Sequence, residues 1–140
     1  MTKRQRIIIV VFVLIFGILT FFSYCWSHQS VSVLQKRQQS QMSPVIMIPG
    51  SSATVNRFDT LVTKINQMDH WKHSLLKVKV YNSGKITYSG QVRQNDNEPF
   101  IVVGFENNHD GYSNIKKQAK MFNTAFNQLK DQYNFNNFKG

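Results

Sequence analysis

Four apolar patterns run along this chain, and each predicts a different element. Residues 7–26 carry no charge and are dominated by Ile, Val, Leu and Phe. As a helix rising 1.5 Å per residue they span roughly 30 Å, about the hydrocarbon thickness of a bilayer. Val45-Ile46-Met47-Ile48 and Phe100-Ile101-Val102-Val103-Gly104-Phe105 are short unbroken apolar runs closed by Pro-Gly or by an Asn/Asp/Gly-rich loop. Such runs predict strands buried on both faces. Elsewhere the period lengthens to that of a helix. Phe58, Leu61, Val62, Ile65 and Met68 share one face, with Asn56 placed to cap and Asp59 in the positive first turn. Ile115, Ala119, Phe122, Phe126, Leu129 and Tyr133 recur at spacings of three and four, with Ser113 or Asn114 as cap. Leu76, Val78 and Val80 alternate with Lys77, Lys79 and Tyr81 before Asn82-Ser83-Gly84, and residues 85–92 follow. That pattern predicts a half-exposed β-hairpin whose Gly84 takes a positive φ.

Strands alternating with helices predict right-handed crossovers and an α/β domain with a parallel sheet. Its two complete strands would be joined by a third buried strand opening at Phe138, with the hairpin as an insertion. The chain divides into a basic cytoplasmic tail at 1–6, a transmembrane signal-anchor helix at 7–26, a Gln- and Ser-rich linker at 27–43 that is helical in part near 31–34, and the α/β domain at 44–140.

Charge adds a topology. Lys3, Arg4 and Arg6 precede the apolar segment, while Lys36 and Arg37 lie about ten residues beyond it, which favours an inward N-terminus and an extracellular domain. Secretion after signal cleavage is the alternative, although Ser23-Tyr24-Cys25-Trp26-Ser27 makes a poor cleavage site and Tyr24 before Cys25 argues against lipidation. The formal net charge of +10, less the three charges of Lys3, Arg4 and Arg6, leaves +7 beyond the anchor. Such an excess outside a cell is drawn to anionic wall polymers or lipid head groups. Nucleic acid is not an expected partner, because the basic residues are spread out and on the wrong side of the membrane.

Candidate chemistry is sparse. Cys25 is the only cysteine, which excludes an intrachain disulfide and a multi-cysteine metal site. His28, His70, His73 and His109 do not combine with neighbouring Glu or Cys into a ligand set, so neither metal nor cofactor is expected. His109-Asp110 reads as loop, and Asp59 and Glu106 read as helix-start and strand-end residues rather than an acid and base pair.

The block from Pro44 through Pro49-Gly50-Ser51-Ser52-Ala53-Thr54, followed by Asn56-Arg57-Phe58-Asp59, resembles the opening of one α/β-hydrolase family. Asn82-Ser83-Gly84, Phe105-Glu106-Asn107-Asn108 and Gln118-Ala119-Lys120 match later landmarks. That family comprises secreted or membrane-anchored, serine-hydrolase-like proteins of lactic acid bacteria and their relatives, largely without assigned substrates. The resemblance covers residues 44–140 and implies the N-terminal half of an α/β-hydrolase fold. It implies that Gly50, Ser51 and Ser52 form the oxyanion-hole turn, with the Ser51 amide as donor and Ser52 as the lesser candidate. It implies too that the nucleophile elbow, the acid and the histidine come later in chain order than Gly140. The expectation is therefore an ester- or acyl-directed hydrolase of unknown substrate, cut before its nucleophile by truncation, an early stop or a split reading frame, inactive alone and completed by a downstream polypeptide. The alternative is a non-catalytic basic cell-surface protein that binds anionic wall polymers or lipid.

Overall fold

The computed structural model describes residues 1–32, 34 and 40–140, the side chains of 25–32 excepted. It divides into two compact units, Met1–Ser32 and Val33–Gly140. The first unit is one helix, α1 (Lys3–Ser32). Thr2 and Gln5 cap its start reciprocally, Thr2 N–H to Gln5 Oε1 at 3.1 Å and Gln5 N–H to Thr2 Oγ1 at 3.4 Å. Ile7, Phe12, Phe16 and Phe22 are all exposed, so no polar face interrupts the apolar surface. By length and composition, Lys3–Tyr24 is able to cross a membrane. The side chains of Cys25 and His28, and Lys36 and Arg37 altogether, lie outside the described residues.

The second unit contains β1 (Val45–Met47), α2 (Asp59–Met68), β2 (Leu75–Val80), β3 (Ile86–Gly90), β4 (Phe100–Phe105) and α3 (Tyr112–Tyr133). One mixed sheet runs in the order β1-β4-β2-β3. β4 pairs parallel with both β1 and β2, so Val45 and Leu75 both lie opposite Phe100, while β2 and β3 pair antiparallel. The hairpin is thus part of the sheet, and its first strand is interior. Its period-two pattern arises because Leu76, Val78 and Val80 are fully covered on one face, whereas Lys77 and Lys79 are only partly covered on the other. β4, flanked on both sides, is buried at all six positions.

The two faces are packed unequally. Leu76, Val78, Val80, Ile101, Val103 and Phe105 share a core with Ala125, Leu129 and Tyr133 of α3 and with Phe135. Leu34 and Met42, within the stretch read as linker, are buried in the same core. On the opposite face α2 buries only Val62; Leu61 and Met68 of its predicted apolar stripe are exposed. The segment entering α2 lies so close to the sheet that a Cβ built on Gly104 would stand 2.5 Å from Val55 Cγ1. A side chain at that point in β4 would force Val55 to give way.

Neither expected helix cap forms. Asn56 Oδ1 accepts a hydrogen bond from Lys77 Nζ at 2.8 Å, leaving Phe58 before α2 with no side-chain cap, although Asp59 does occupy the first turn. α3 begins after Gly111 (φ 112°), again uncapped; Asn114 Nδ2 instead donates to Asp110 O at 3.2 Å. The first turns of α3 leave Ile115 and Ala119 exposed, and its apolar side chains first meet the core at Met121 and Phe122.

At the other end, Asn134 adopts the left-handed conformation (φ 53°) and donates its N–H to Lys130 O at 2.7 Å, stopping the helix. The chain then returns to β1, where Lys139 bridges Val45 in parallel. Ile46 N–H donates to Lys139 O at 2.8 Å and Lys139 N–H to Pro44 O at 2.9 Å. Phe138 is 54% exposed rather than buried, and at this margin it meets Phe126 edge-on, with ring centroids 5.2 Å apart.

Candidate functional site

The C-terminal ends of β1 and β4 open onto two loops that hold each other. After β1, Pro49 is buried and Gly50 is exposed. Ala53 N–H donates to Gly50 O at 3.0 Å, closing a β-turn with Ser51 and Ser52 at its centre. Ser52 has φ 62°. A positive φ at the third residue is what a type II turn demands, and it is unfavourable for any residue with a Cβ.

Asn108, in the loop after β4, holds this turn at two points. Its carbonyl accepts the Ser52 N–H at 3.4 Å, and its side-chain amide donates to Ala53 O. Asn108 is itself placed by its neighbours. Gln118 Nε2, on α3, donates to Asn107 O at 2.9 Å and to His109 O at 3.2 Å, and Asn107 Oδ1 accepts the His109 N–H at 3.2 Å. Glu106 Oε2 accepts the Asn82 N–H at 2.7 Å, so the hairpin turn is tied to the same end of the sheet.

The consequence lies in the amides. Ser52 N–H is directed at Asn108, whereas Ser51 N–H has no acceptor among the described residues. An unengaged backbone N–H at the C-terminal end of a parallel strand can donate to an anion about 3 Å away. Gly50 adds no obstruction, since nothing stands within 4 Å of a Cβ built there. Of the three residues singled out in the sequence, Gly50 leaves the approach open, Ser51 offers the amide, and Ser52 carries the backbone conformation that turns the loop.

Neither serine hydroxyl is bonded to a histidine or a carboxylate among the described residues, and Gly-x-Ser-x-Gly does not occur in these 140 residues. His109 and Asp110 are exposed on the loop. Glu106 ties down the hairpin, and Asp59 Oδ2 pairs with Lys77 Nζ at 2.7 Å on the α2 face. No group of three or more His, Cys, Asp or Glu suited to a metal ion occurs among the described residues. Sequence reasoning missed Asn108 and Gln118 as the residues that position the turn. The available signal was the run of Asn between a buried strand and a helix, where side-chain amides replace regular backbone pairing.

No curated protein matches the chain. Among solved structures, one described as "the putative cell surface hydrolase from Lactobacillus plantarum WCFS1" is 55% identical with a TM-score of 0.65, over 71% of this chain and 40% of that one. A gene product from Listeria innocua is 24% identical with a TM-score of 0.56, over 71% of this chain and 38% of that one, and bears on the fold alone. The chain thus spans about two fifths of the length of these structures. The model of the family described as "Alpha/beta hydrolase of unknown function (DUF915)" matches residues 32–140, which takes in both braced loops and the whole sheet, and it is to this family that the chain belongs.

Proposed function

We propose that this chain carries the anion-stabilising turn of a membrane-anchored serine hydrolase of the cell surface, and that alone it does not turn over esters. One observation carries the reading: the Ser51 amide is without an acceptor among the described residues, while its neighbours in the turn are held by Asn108. When a nucleophile adds to an ester or acyl carbonyl, the oxygen gains negative charge, and a fixed N–H aimed at it stabilises that state without reorganising. In this reading Ser51 supplies the N–H, and Gly50 and Ser52 shape the turn. The nucleophile, the histidine, the acid and a second N–H come from polypeptide equivalent to the remaining length of the relatives. α1 anchors the domain, with secretion after cleavage as the alternative. Likeness to a protein described as a cell surface hydrolase supports the reaction class and the location.

A fluorophosphonate probe tests the reading directly. The 140-residue chain is expected to remain unlabelled, and labelling of Ser51 or Ser52 would overturn the assignment. A chimera joining it to the C-terminal remainder of the Lactobacillus plantarum protein should hydrolyse esters. In that chimera, Ser51→Pro deletes the N–H at a turn position that accommodates proline, and should lower kcat by about 10²–10³-fold. An undiminished rate removes Ser51 as the donor. A second reading, a basic surface protein adsorbing to anionic wall polymers or lipid, rests on the +7 excess. It predicts vesicle binding that fades with salt, and salt-insensitive or absent binding removes it.

A further inference from the structure

At the end of the sheet opposite the 50–53 turn, where the β2–β3 hairpin opens, five residues line a cavity of about 340 Å³: His70, Trp71, Lys72, Arg93 and Asn95. The lining holds two fixed positive charges and no carboxylate. Its one aromatic side chain, Trp71, is 56% exposed, a large indole that the fold does not use for packing.

The frame around this cavity is rigid. Asp96 is 1% exposed, and its carboxylate accepts the N–H groups of Ser74 and, at 3.0 Å, Glu98. Ser74 Oγ accepts the Arg93 N–H at 3.0 Å, and the Arg93 guanidinium donates to Lys72 O. Trp71 N–H donates to Asp69 Oδ1 at 3.3 Å, and His73 N–H to Asn66 Oδ1 at 2.8 Å. Both segments of the rim, 70–74 and 93–98, are therefore fixed to each other through a buried carboxylate. A site assembled in advance loses little entropy on binding.

From this we infer that the cavity binds a sugar bearing a phosphate group. The two cations meet the phosphate, the indole face covers the apolar C–H face of the ring, and Asn95 and His70 provide hydrogen-bonding groups for hydroxyls. Single-stranded nucleic acid uses cations and aromatics too, but along a groove with successive stacking platforms. Here a single indole beside one open depression suits a single sugar unit. This inference is independent of the hydrolase reading, since no residue of the 50–53 turn takes part.

The test is an NMR titration of the full chain in neutral detergent, with ¹⁵N-labelled tryptophan, the Trp71 indole signal being assigned by its loss in Trp71→Phe. Glucose 6-phosphate should move that signal saturably, at a concentration about tenfold lower than glucose or inorganic phosphate requires, because only it engages both halves of the site. Lys72→Gln should weaken binding by about fivefold while leaving the melting temperature unchanged, since Lys72 contributes only its backbone carbonyl to the frame. The inference fails if the indole signal does not shift saturably, if inorganic phosphate binds as tightly as the phosphosugar, if adenosine monophosphate binds more tightly than either, or if Lys72→Gln has no effect.

Discussion

Gly104→Ala isolates the contact that presses the segment leaving the candidate site onto the sheet. The added methyl would lie 2.5 Å from Val55 Cγ1. Apolar carbons rest about 3.5–4.0 Å apart, so Val55 and its loop must retreat by about 1 Å. Overpacking of this kind costs about 1–3 kcal/mol. Replacing a strand glycine recovers about 0.5–1 kcal/mol through the unfolded state, leaving a net loss of about 1–2 kcal/mol. The clash is with one γ-methyl, and Val55 Cβ stands at 3.7 Å, an ordinary contact. Val55→Ala should therefore abolish the penalty. That variant alone loses about 1 kcal/mol from a half-buried site, and adding Gly104→Ala to it should cost almost nothing further. Urea unfolding of the detergent-solubilised chain, followed by near-ultraviolet circular dichroism, gives the four free energies of the cycle. Additivity within about 0.5 kcal/mol would mean that the two residues do not meet, and would refute the close approach.

Other parts of the molecule yield shorter tests. Asn108→Ala removes the side-chain bond to Ala53 O and should cost about 0.5–1.5 kcal/mol by urea unfolding, with faster amide exchange at Ser52 than at residues of β4; unchanged exchange at Ser52 would mean that Asn108 does not hold the turn. Leu129→Ala, at a position fully buried against the sheet, should cost about 2–5 kcal/mol, and a loss under about 1 kcal/mol would place α3 off the core. Burial, with the neighbouring Tyr133, pushes the Tyr88 phenol up from 10.0 to about 12. The stability it contributes is complete below pH 10 and is lost as pH rises towards 12, so phenolate absorbance should show a late-titrating component that Tyr88→Phe removes. The Trp71 N–H and then His73 hold the Asp69 carboxyl below its ordinary 3.8, so the stability it adds is present above that value and lost as pH falls through the lowered one; Asp69→Asn should flatten the acid limb of the unfolding curve.

How much of this was legible in the chain depends on what each residue answers to. β4 declared itself because a strand buried on every side needs an unbroken apolar run, and the run at residues 100–105 admits little else. β2 was visible as a strand but not as an interior one. Alternation of Leu76, Val78 and Val80 with lysines reports how well each face is covered, and says nothing about which strands lie alongside. The caps failed for a related reason. Asn56 has the chemistry of a cap, yet Lys77, reaching up from the sheet through the thinly packed α2 face, takes its oxygen first.

The candidate site shows the same division between residue type and spatial partner. Asn82, Glu106, Asn107, Asn108 and Gln118 could be picked out as family landmarks, but nothing in their order shows that they bind one another. In space they form one brace: Asn82 to Glu106, Gln118 to the loop carbonyls, Asn108 to Ser52 and Ala53 of the turn. Short polar side chains at the ends of strands have little apolar surface to advertise their role, and their worth lies in satisfying backbone groups that a sharp turn leaves without partners. The left-handed Ser52 depends on this arrangement. A serine there is held against its own backbone preference by two bonds to one asparagine, and the amide that remains unengaged is the neighbouring one at Ser51. The landmarks and the open N–H are thus one structural fact: the brace determines which donor the turn leaves available.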